Sequence, residues 1–301
     1  MAIRTVSFRS EGVLCKGLLY EPKLKNGFES VPAIIMAHGF SAVKEMYLSN
    51  FAEEFQKAGF VVLVFDYRFL GESEGQPRQQ VLPSEQIKDY RNAISWVSQL
   101  TEVDPNRIGI WGSSFSGGHV LQVAAIDRRV KAVVSQAPLV NGWRNAEHKM
   151  GKEKMQLFIE DLIAYRTSRY NGEDMQYMSV VDEHGKKAAI PSPEAFNWFT
   201  TAHQNVAPNW ENRITLESME EYLAYNPAGM IENISPTPLL MIVAENDTTT
   251  PSYLAKEAFA KARTPKQFIL VPGGHFDVYH KPIFKQTSKA AVDWFKKYLL
   301  Y

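Results

Sequence analysis

Residues 111–118, WGSSFSGG, place three serines within four positions between glycines. The apolar, β-branched run before them, RIGIW (107–111), predicts a buried strand, and residues 117–126 have the apolar spacing of a helix. A serine held in a tight, glycine-lined turn between a strand and a helix presents its hydroxyl group for nucleophilic attack. The stretch therefore predicts a nucleophilic serine.

Two of these serines have the small neighbours that such a turn requires, because its backbone packs against the residues around it. Ser114 lies between Gly112 and Ser116, and Ser116 lies between Ser114 and Gly118. The predicted strand ends at Trp111 and must turn at Gly112, which places Ser114 at the apex. We therefore predict Ser114 as the nucleophile, with Ser116 as the alternative. The same pattern also fits a strand–helix turn without catalysis.

A serine nucleophile needs a base, and the chain has seven histidines. His275 ends the apolar stretch 266–275 directly after two glycines, where its side chain can reach a neighbouring turn. His38 also follows a strand, but the adjacent Gly39 favours a packed turn histidine. His119 lies in the predicted helix after the serine turn, and the segment 139–232 contains His148, His184 and His203. His280 is close enough in sequence to form a metal pair with His275. No third ligand has suitable spacing, so the sequence predicts no metal and no cofactor.

The base needs a carboxylate to orient it, and the segment 244–251, AENDTTTP, offers two after a predicted strand. Glu245 comes at the end of that strand, whereas Asp247 lies further into the loop, where it can reach a histidine from the next loop. Asp277 is the rival, but at two residues from His275 it fits better as a local turn or helix-start residue. We therefore predict Asp247 as the acid.

The order of predicted elements places these residues on an α/β fold. Strands and helices alternate from residue 3 to about 138 and again from 233 to 301, which predicts a mostly parallel sheet covered by helices on both faces. Between these parts, residues 139–232 have few β-branched runs and fit long amphipathic helices. We expect one core formed by residues 1–138 and 233–301, with residues 139–232 as a helical insertion.

Composition and charge narrow the classes of function. Lysine plus arginine and aspartate plus glutamate both number 33, so no net charge attracts the chain to nucleic acid or to anionic lipid. The lone Cys15 excludes an internal disulfide and fits a reducing compartment. We see neither a signal peptide nor an apolar run long enough for a membrane span, and so expect a cytoplasmic protein without a membrane partner. The oligomeric state stays open.

Five stretches together resemble the α/β-hydrolase superfamily across essentially the whole chain. They are HGF (38–40), DYRFLGES (66–73), GSSFS (112–116), the acid in AENDTTTP (244–251) and GGH (273–275). The chain order Ser114, Asp247, His275 is the order of that superfamily. Phe69 and Ser116 stand where many members have glycine, but neither departure removes a catalytic group. The serine turn, the helical insertion and the opening strands resemble a branch with dienelactone-hydrolase-like and X-prolyl-peptidase-like enzymes, near fungal polyketide-cluster acyltransferases and thioesterases.

The resemblance implies an oxyanion hole and a cap. The backbone N–H groups of Phe40 and Phe115 would stabilise the oxyanion that forms when the serine attacks a carbonyl group. The insertion would be the cap that closes over the serine and supplies much of the substrate pocket. Candidate residues that line this pocket are Trp143, Tyr165, Trp198, Phe199 and His203. Each of them could instead only pack the cap against the core.

We therefore expect a serine hydrolase that acts on an ester or thioester of a small to medium, largely apolar acyl group. One alternative is transfer of a carrier-bound acyl chain to an alcohol, with an acyl carrier protein as a partner. The other is a binding protein on the same fold that retains an unused triad.

Overall fold

The computed structural model describes residues 2–23, 30–184 and 188–300. The predicted domains also include residues 1, 24–29, 185–187 and 301, which lie outside these ranges. The strands are β1 (Ala2–Ser10), β2 (Val13–Glu21), β3 (Val31–Ala37), β4 (Val61–Phe65), β5 (Val103–Ser113), β6 (Val130–Gln136), β7 (Tyr177–Met178), β8 (Ile214–Thr215), β9 (Leu239–Ala244) and β10 (Lys266–Val271). The α-helices are α1 (Leu48–Lys57), α2 (Pro83–Val97), α3 (Phe115–Ile126), α4 (Gly142–Met150), α5 (Lys152–Tyr170), α6 (Pro193–Asn205), α7 (Glu217–Ala224), α8 (Ser252–Lys261) and α9 (Ile283–Leu299). Short 3-10 helices are formed by Pro227–Ile234 and Asp277–Tyr279.

Within the described ranges, eight strands form one sheet in the order β1-β2-β4-β3-β5-β6-β9-β10. β1 and β2 form an antiparallel hairpin, β2 pairs antiparallel with β4, and the remaining neighbours are parallel. β4 and β9 are apolar and buried along their whole lengths, as expected for strands that are covered on both faces. The predicted mostly parallel α/β sheet is thus confirmed.

Helices cover the two faces of this sheet. α1 and α9 contact each other over one face, and α2 and α3 contact each other over the opposite face. α2 begins with Pro83, whose missing N–H costs nothing at a helix start, and α1 is followed by Gly59 at φ 100°. No helix in the described ranges is both long enough and apolar enough to cross a bilayer.

The parallel strands bring four chain segments to one edge of the sheet. Residues 38–40 follow β3, Ser114 follows β5, Asp247 lies beyond β9, and His275 lies beyond β10. The carboxyl ends of parallel strands lie at the same edge, which is where α/β sheets hold their ligands. These residues therefore converge although 161 positions separate Ser114 from His275.

The segment between β6 and β9 contains α4 to α7, the two-stranded ribbon of β7 and β8, and the first 3-10 helix. It contacts the rest of the chain close to the serine. Trp210 Nε1 donates a hydrogen bond to Ser41 O (2.8 Å), and Val81 N donates one to Ser218 Oγ (2.8 Å). These contacts join the segment to Ser41, which follows β3, and to Val81, which precedes α2.

The structure differs from the sequence-based elements at two places near the serine. β5 continues from Val103 to Ser113 rather than covering 107–111 alone, because Gly112 and Ser113 still pair with β6. α4 is absent from the predicted helices. Its buried residues are Gly142, Asn145 and Ala146, and such small or polar residues produce no apolar stripe in the sequence.

Candidate active site

Ser114 lies at the turn between β5 and α3 with backbone angles φ 61° and ψ −119°. A positive φ is strained for a residue with a side chain, so the surrounding packing must hold this conformation. Gly112 permits the turn, because a Cβ at this position would lie 2.3 Å from the Ser116 carbonyl oxygen. Gly39 lets the turn at 38–40 approach, because a Cβ there would lie 3.1 Å from Ser114 Cβ.

Ser116 has different surroundings from Ser114. It lies within the first turn of α3 and is fully buried. Its Oγ shares a hydrogen bond of 2.9 Å with the Tyr67 hydroxyl and lies 3.5 Å from the Tyr90 hydroxyl. The Ser116 hydroxyl group thus lies between tyrosine hydroxyl groups.

His275 lies between Ser114 and Asp247 and contacts both. Its Nε2 is 2.9 Å from Ser114 Oγ, and its Nδ1 is 2.7 Å from Asp247 Oδ2. His275 is 2% exposed and Asp247 is 6% exposed. When Nδ1 carries the proton that the carboxylate accepts, Nε2 offers its lone pair to the serine hydroxyl, which is the arrangement that a general base requires.

The loop after β9 fixes the carboxylate of Asp247. Oδ1 accepts hydrogen bonds from the backbone N–H groups of Thr249 (2.8 Å) and Thr250 (2.6 Å). The Thr250 hydroxyl lies 2.9 Å from Oδ2 and 3.2 Å from His275 Nδ1. Thr250 therefore contacts both the acid and the base, and it was not predicted from the sequence.

The rival carboxylates have other environments. Asp277 Oδ2 accepts a hydrogen bond from Gly274 N (2.7 Å), so Asp277 closes the local turn before its 3-10 helix. Glu245 is exposed to solvent at the end of β9. Of the three carboxylates considered, the structure brings Asp247 into hydrogen-bonding contact with the histidine.

Phe40 and Phe115 flank Ser114 in the same cavity. Phe115 is the first residue of α3, and the first N–H groups of a helix have no acceptor within it. The Phe40 and Phe115 rings pack edge to face at 5.1 Å between centroids, which fixes the two chain segments against each other. The backbone segments at Phe40 and Phe115 therefore both lie beside the serine.

Two narrow cavities adjoin Ser114, and a wider crevice lies outside them. The first cavity (about 30 Å³) is lined partly by Leu139, Asn145, Met219 and Tyr222. The second cavity (about 20 Å³) is lined partly by Trp198, Phe199, Phe276 and Tyr279. The outer crevice (about 310 Å³) is lined partly by His148, Pro191, Ser192 and Thr248. Lys149, Ile190 and Thr249 line both the first cavity and the outer crevice, so they form the neck between these spaces.

The five predicted pocket residues occupy different places. Trp198 and Phe199 line the second cavity. Trp143, Tyr165 and His203 are not among the residues that line either cavity in the described part of the chain. Trp143 is 48% exposed, the Tyr165 hydroxyl contacts Met175 Sδ (3.1 Å), and His203 Nδ1 donates to the Ala207 carbonyl oxygen (3.2 Å).

His38 and His119 are buried without contacting Ser114. His38 Nδ1 donates to the Gly39 carbonyl oxygen (3.0 Å), as a packed turn histidine does. His119 lies between the Tyr225 hydroxyl (2.6 Å) and Gln86 Oε1 (2.8 Å). Burial lowers the pKa of His38 to about 4 and the pKa of His119 to about 3, so both rings are neutral near pH 7.

One group of carboxylates in the described ranges has the spacing of a metal site. Glu45, Asp66 and Glu72 each place an oxygen within 4.8 Å of the others. The ammonium group of Lys44 contacts all three, at 2.6 Å, 2.9 Å and 2.6 Å. A buried lysine therefore occupies the position that a cation would take. His280, the possible metal partner of His275, packs its ring against Tyr47 at 5.0 Å.

The polar residues that line the first cavity and were not predicted from the sequence include Asn145, Lys149 and Thr249. Asn145 and Lys149 are four residues apart on α4, and so lie on one face of that helix. A signal for α4 exists in Asn141, whose side chain accepts a hydrogen bond from Arg144 N (2.8 Å) and caps the helix. The sequence thus contains a helix N-cap residue at Asn141, but the helix that follows it lacks the usual apolar stripe.

The family model for X-Pro dipeptidyl-peptidases (S15 family) matches residues 11–277 of this sequence. The chain belongs to the X-Pro dipeptidyl-peptidase (S15) family. The crystal structure of the α/β hydrolase GrgF from Penicillium resembles it with a TM-score of 0.85 and 27% identity over all of both chains. The predicted α/β-hydrolase fold is therefore confirmed.

Proteins with similar sequences are named for several activities. The quorum-quenching protein AidA of Acinetobacter baumannii is 33% identical over 297 residues, which cover 97% of this chain and 94% of AidA. A thiohydrolase of Eupenicillium brefeldianum is 34% identical over 281 residues (91% of this chain, 88% of that protein). The polyketide transferase grgF of Penicillium is 30% identical over 269 residues (89% and 87%). This member of the S15 family is an enzyme of the serine hydrolase and acyltransferase class, as predicted.

Proposed function

We propose that this enzyme cleaves an ester or thioester of a small to medium acyl group through an acyl-serine at Ser114. The observation that supports this most strongly is the continuous chain of hydrogen bonds from Ser114 Oγ through His275 to Asp247, at 2.9 Å and 2.7 Å. A serine, a base and an orienting carboxylate in this geometry suit nucleophilic acyl transfer.

In the first half of the proposed reaction, Ser114 Oγ attacks the carbonyl carbon while His275 Nε2 takes the hydroxyl proton. The carbonyl oxygen becomes negative and accepts hydrogen bonds from the Phe40 and Phe115 backbone N–H groups. His275 then gives its proton to the departing alcohol or thiol, and the carbonyl re-forms as the acyl-serine. Asp247 stays ionised and holds the imidazole in the required tautomer.

In the second half, His275 removes a proton from the acceptor as it attacks the acyl-serine, and returns that proton to Ser114 Oγ. Water as acceptor gives a free acid, and an alcohol gives a new ester. We favour hydrolysis. Transfer to an alcohol is the second candidate, because a relative is named a polyketide transferase and because little space for water adjoins the serine.

We propose that residues 139–232 form a cap that must shift to admit the acyl group. The two cavities beside Ser114 hold about 30 Å³ and 20 Å³, whereas pockets for small-molecule ligands usually span about 300–1,000 Å³. Cap residues such as Met219, Tyr222 and Trp198 form walls of these cavities. Displacement of these side chains enlarges the narrow spaces beside Ser114 for an acyl group of small or medium size.

The deciding experiment measures both turnover and partitioning of the acyl-enzyme. Wild-type protein is mixed with thioesters of short and medium acyl chains, with candidate alcohols added in increasing concentration. Free acid as the main product at every alcohol concentration supports the hydrolase, and ester as the main product makes the enzyme a transferase. The same acyl group on a small thiol and on an acyl carrier protein is then compared, and a higher kcat/KM for the carrier supports a carrier partner.

A further inference from the structure

Lys149 carries an unpaired ammonium group at the neck between the first cavity and the outer crevice. In the ranges that the structure describes, it has neither a hydrogen bond nor an ion pair. Burial lowers the pKa of Lys149 to about 8, and the charge of Asp247 opposes that shift. The side chain therefore stays protonated at pH 7 and offers hydrogen-bond donors to whatever enters the neck.

Lys149 does not serve as the ionic partner of Asp247. Both carboxylate oxygens of Asp247 already accept hydrogen bonds, from His275 and from two backbone N–H groups of the following loop. A lysine that neutralised this carboxylate would lie within salt-bridge distance of it, whereas the group 2.7 Å from Asp247 Oδ2 is His275 Nδ1. Within the described ranges, no residue therefore pairs with the ammonium group of Lys149.

Asn145, one helical turn before Lys149, presents an unpaired acceptor to the same cavity. Its Nδ2 donates to the Tyr222 hydroxyl (2.6 Å), whereas its Oδ1 is buried without a hydrogen-bond partner. The residue is 1% exposed, so water cannot readily satisfy that oxygen. A buried acceptor left without a donor is costly, and such a position in a binding cavity indicates that a ligand supplies the donor.

Thr249 adds a third unpaired polar atom. Its backbone N–H is held by Asp247, but its Oγ1 is buried with no hydrogen-bond partner, and the residue is 6% exposed. Thr249 lines the first cavity, the second cavity and the outer crevice. The polar atoms on this wall are therefore one cationic donor, one acceptor and one hydroxyl group, next to a nucleophilic serine.

We propose that Asn145, Lys149 and Thr249 form a subsite that binds a hydroxyl group on the acyl chain of the substrate. The inference rests on the proposed function and specifies its substrate class, a hydroxyacyl thioester or ester. A hydroxyl group both donates and accepts, so its hydrogen can bond to Asn145 Oδ1 while its oxygen accepts from Lys149 Nζ. Residues at i and i+4 of a helix have Cβ atoms about 6 Å apart, which one hydroxyl group can bridge through two side chains.

Other acyl chains leave part of this subsite unsatisfied. An unsubstituted chain leaves all three polar groups unpaired, and a ketone accepts from Lys149 but has no hydrogen for Asn145. Because the unpaired oxygens of Asn145 and Thr249 are buried, leaving them unsatisfied is costly. The kcat/KM should therefore be at least about tenfold higher for a chain with a hydroxyl group than for an unsubstituted chain, with a smaller increase for a ketone. The difference in kcat/KM between the ketone and hydroxyl substrates separates the contribution of Asn145 from that of Lys149.

The test uses N-acetylcysteamine thioesters of hexanoyl, 3-hydroxyhexanoyl, 5-hydroxyhexanoyl and 3-oxohexanoyl groups. For wild type we expect kcat/KM to be at least about tenfold higher for one hydroxyhexanoyl isomer than for hexanoyl. Lys149→Met should lower the ratio to hexanoyl for hydroxyl and ketone alike, whereas Asn145→Leu should lower it for hydroxyl alone, to about the ratio of the ketone. The matched controls are Lys152→Met and Asn197→Leu, both at exposed helix positions, and they should keep the wild-type ratios.

A second measurement keeps this inference separate from the proposed function. The four thioesters are titrated against the Ser114→Ala variant, which cannot form the acyl-serine, and we expect the preferred hydroxyacyl thioester to bind about tenfold more tightly than hexanoyl. Addition of Lys149→Met to that variant should reduce the difference in affinity. Equal binding of all four thioesters, or an equal loss for every substrate in the Lys149 and Asn145 variants, overturns the hydroxyl subsite. Failure of wild type to cleave any thioester, with a retained binding preference, overturns the proposed reaction instead.

Discussion

Ser114 and Ser116 carry the same functional group two positions apart, and their surroundings give them different chemistry. Ser114 contacts a histidine that is itself bonded to a carboxylate, whereas Ser116 is bonded to a buried tyrosine. The sequence pattern around each serine is nearly the same, so the difference arises from what the fold places opposite each hydroxyl group. Two predictions at the residue scale follow from these contacts.

Ser114→Ala should lower kcat by about 10⁶, because the acyl-serine can no longer form. The matched variant Ser116→Ala should keep turnover within about tenfold and lose about 1–2 kcal/mol of unfolding free energy, since the Tyr67 hydroxyl loses its partner. Labelling with a fluorophosphonate probe, steady-state kinetics and urea unfolding measure these effects. Retained labelling in Ser114→Ala, with loss in Ser116→Ala, would reverse the assignment.

Asp247→Asn should lower kcat by about 10⁴ with the fold intact, because the imidazole loses the partner that fixes its tautomer. Asp277→Asn is the matched control: its carboxylate holds the Gly274 N–H and lies outside the hydrogen-bond chain to the serine. We expect its kcat to stay within about tenfold of wild type. A severe loss in Asp277→Asn with a mild one in Asp247→Asn would show that the acid is misassigned.

At the scale of elements, the turn between β5 and α3 depends on close backbone contacts. The strand ends with Gly112 and Ser113 paired to β6, and the chain then reverses through the positive φ of Ser114. The next helix starts so close to the strand that a single Cβ at Gly112 meets backbone atoms of Ser116. The element geometry, rather than any one side chain, therefore orients the nucleophile.

Gly112→Ala should lower the free energy of unfolding by about 1–3 kcal/mol, because the added methyl group meets a carbonyl oxygen at 2.3 Å. It should also slow labelling of Ser114 by a fluorophosphonate, because the turn must shift. Gly229→Ala is the control, since its Cβ would meet only the Asn226 side-chain amide at 3.3 Å. Chemical denaturation and labelling rates check both variants, and equal effects at the two positions would contradict the packing argument.

At the scale of the whole molecule, folding buries His38 and His119 as neutral rings. Their pKa values fall to about 4 and about 3, below the unfolded value of about 6.5. Below pH 6.5 the unfolded chain therefore binds protons that the folded chain does not. Their contribution to stability is complete above about pH 6.5 and is lost progressively as the pH falls toward 4 and 3.

Replacement of His119 by Gln should flatten this pH dependence. Each buried histidine can contribute up to about 1.4 kcal/mol per pH unit to the slope of the unfolding free energy, and the variant retains only His38 of the pair. Urea unfolding at pH values from about 7 to 4.5 measures the slope for wild type, for His119→Gln and for the exposed-site control His184→Gln. Identical slopes in wild type and His119→Gln would contradict the prediction.

The sequence by itself determined the alternating α/β elements and the three residues Ser114, Asp247 and His275 as candidates. It could do so because each follows an apolar strand in a distinctive loop, and because strand burial leaves a continuous apolar run. The same local pattern predicted that Asp277 belongs to a turn and that His38 is a packed histidine. Turns and strand ends depend on residues that are adjacent in the chain, and the sequence shows these residues directly.

Only the tertiary structure decided which polar side chains surround the serine. α4 buries small and polar residues, so its helix leaves no apolar signature, and Asn145 and Lys149 become cavity residues only when that helix is placed against the loop of Thr249. Trp143 and Tyr165 are aromatic residues of the same segment as Trp198, but the packing of their helices directs them away from the cavities. Side-chain contacts between distant segments depend on how the helices dock, and no spacing along one segment contains that information.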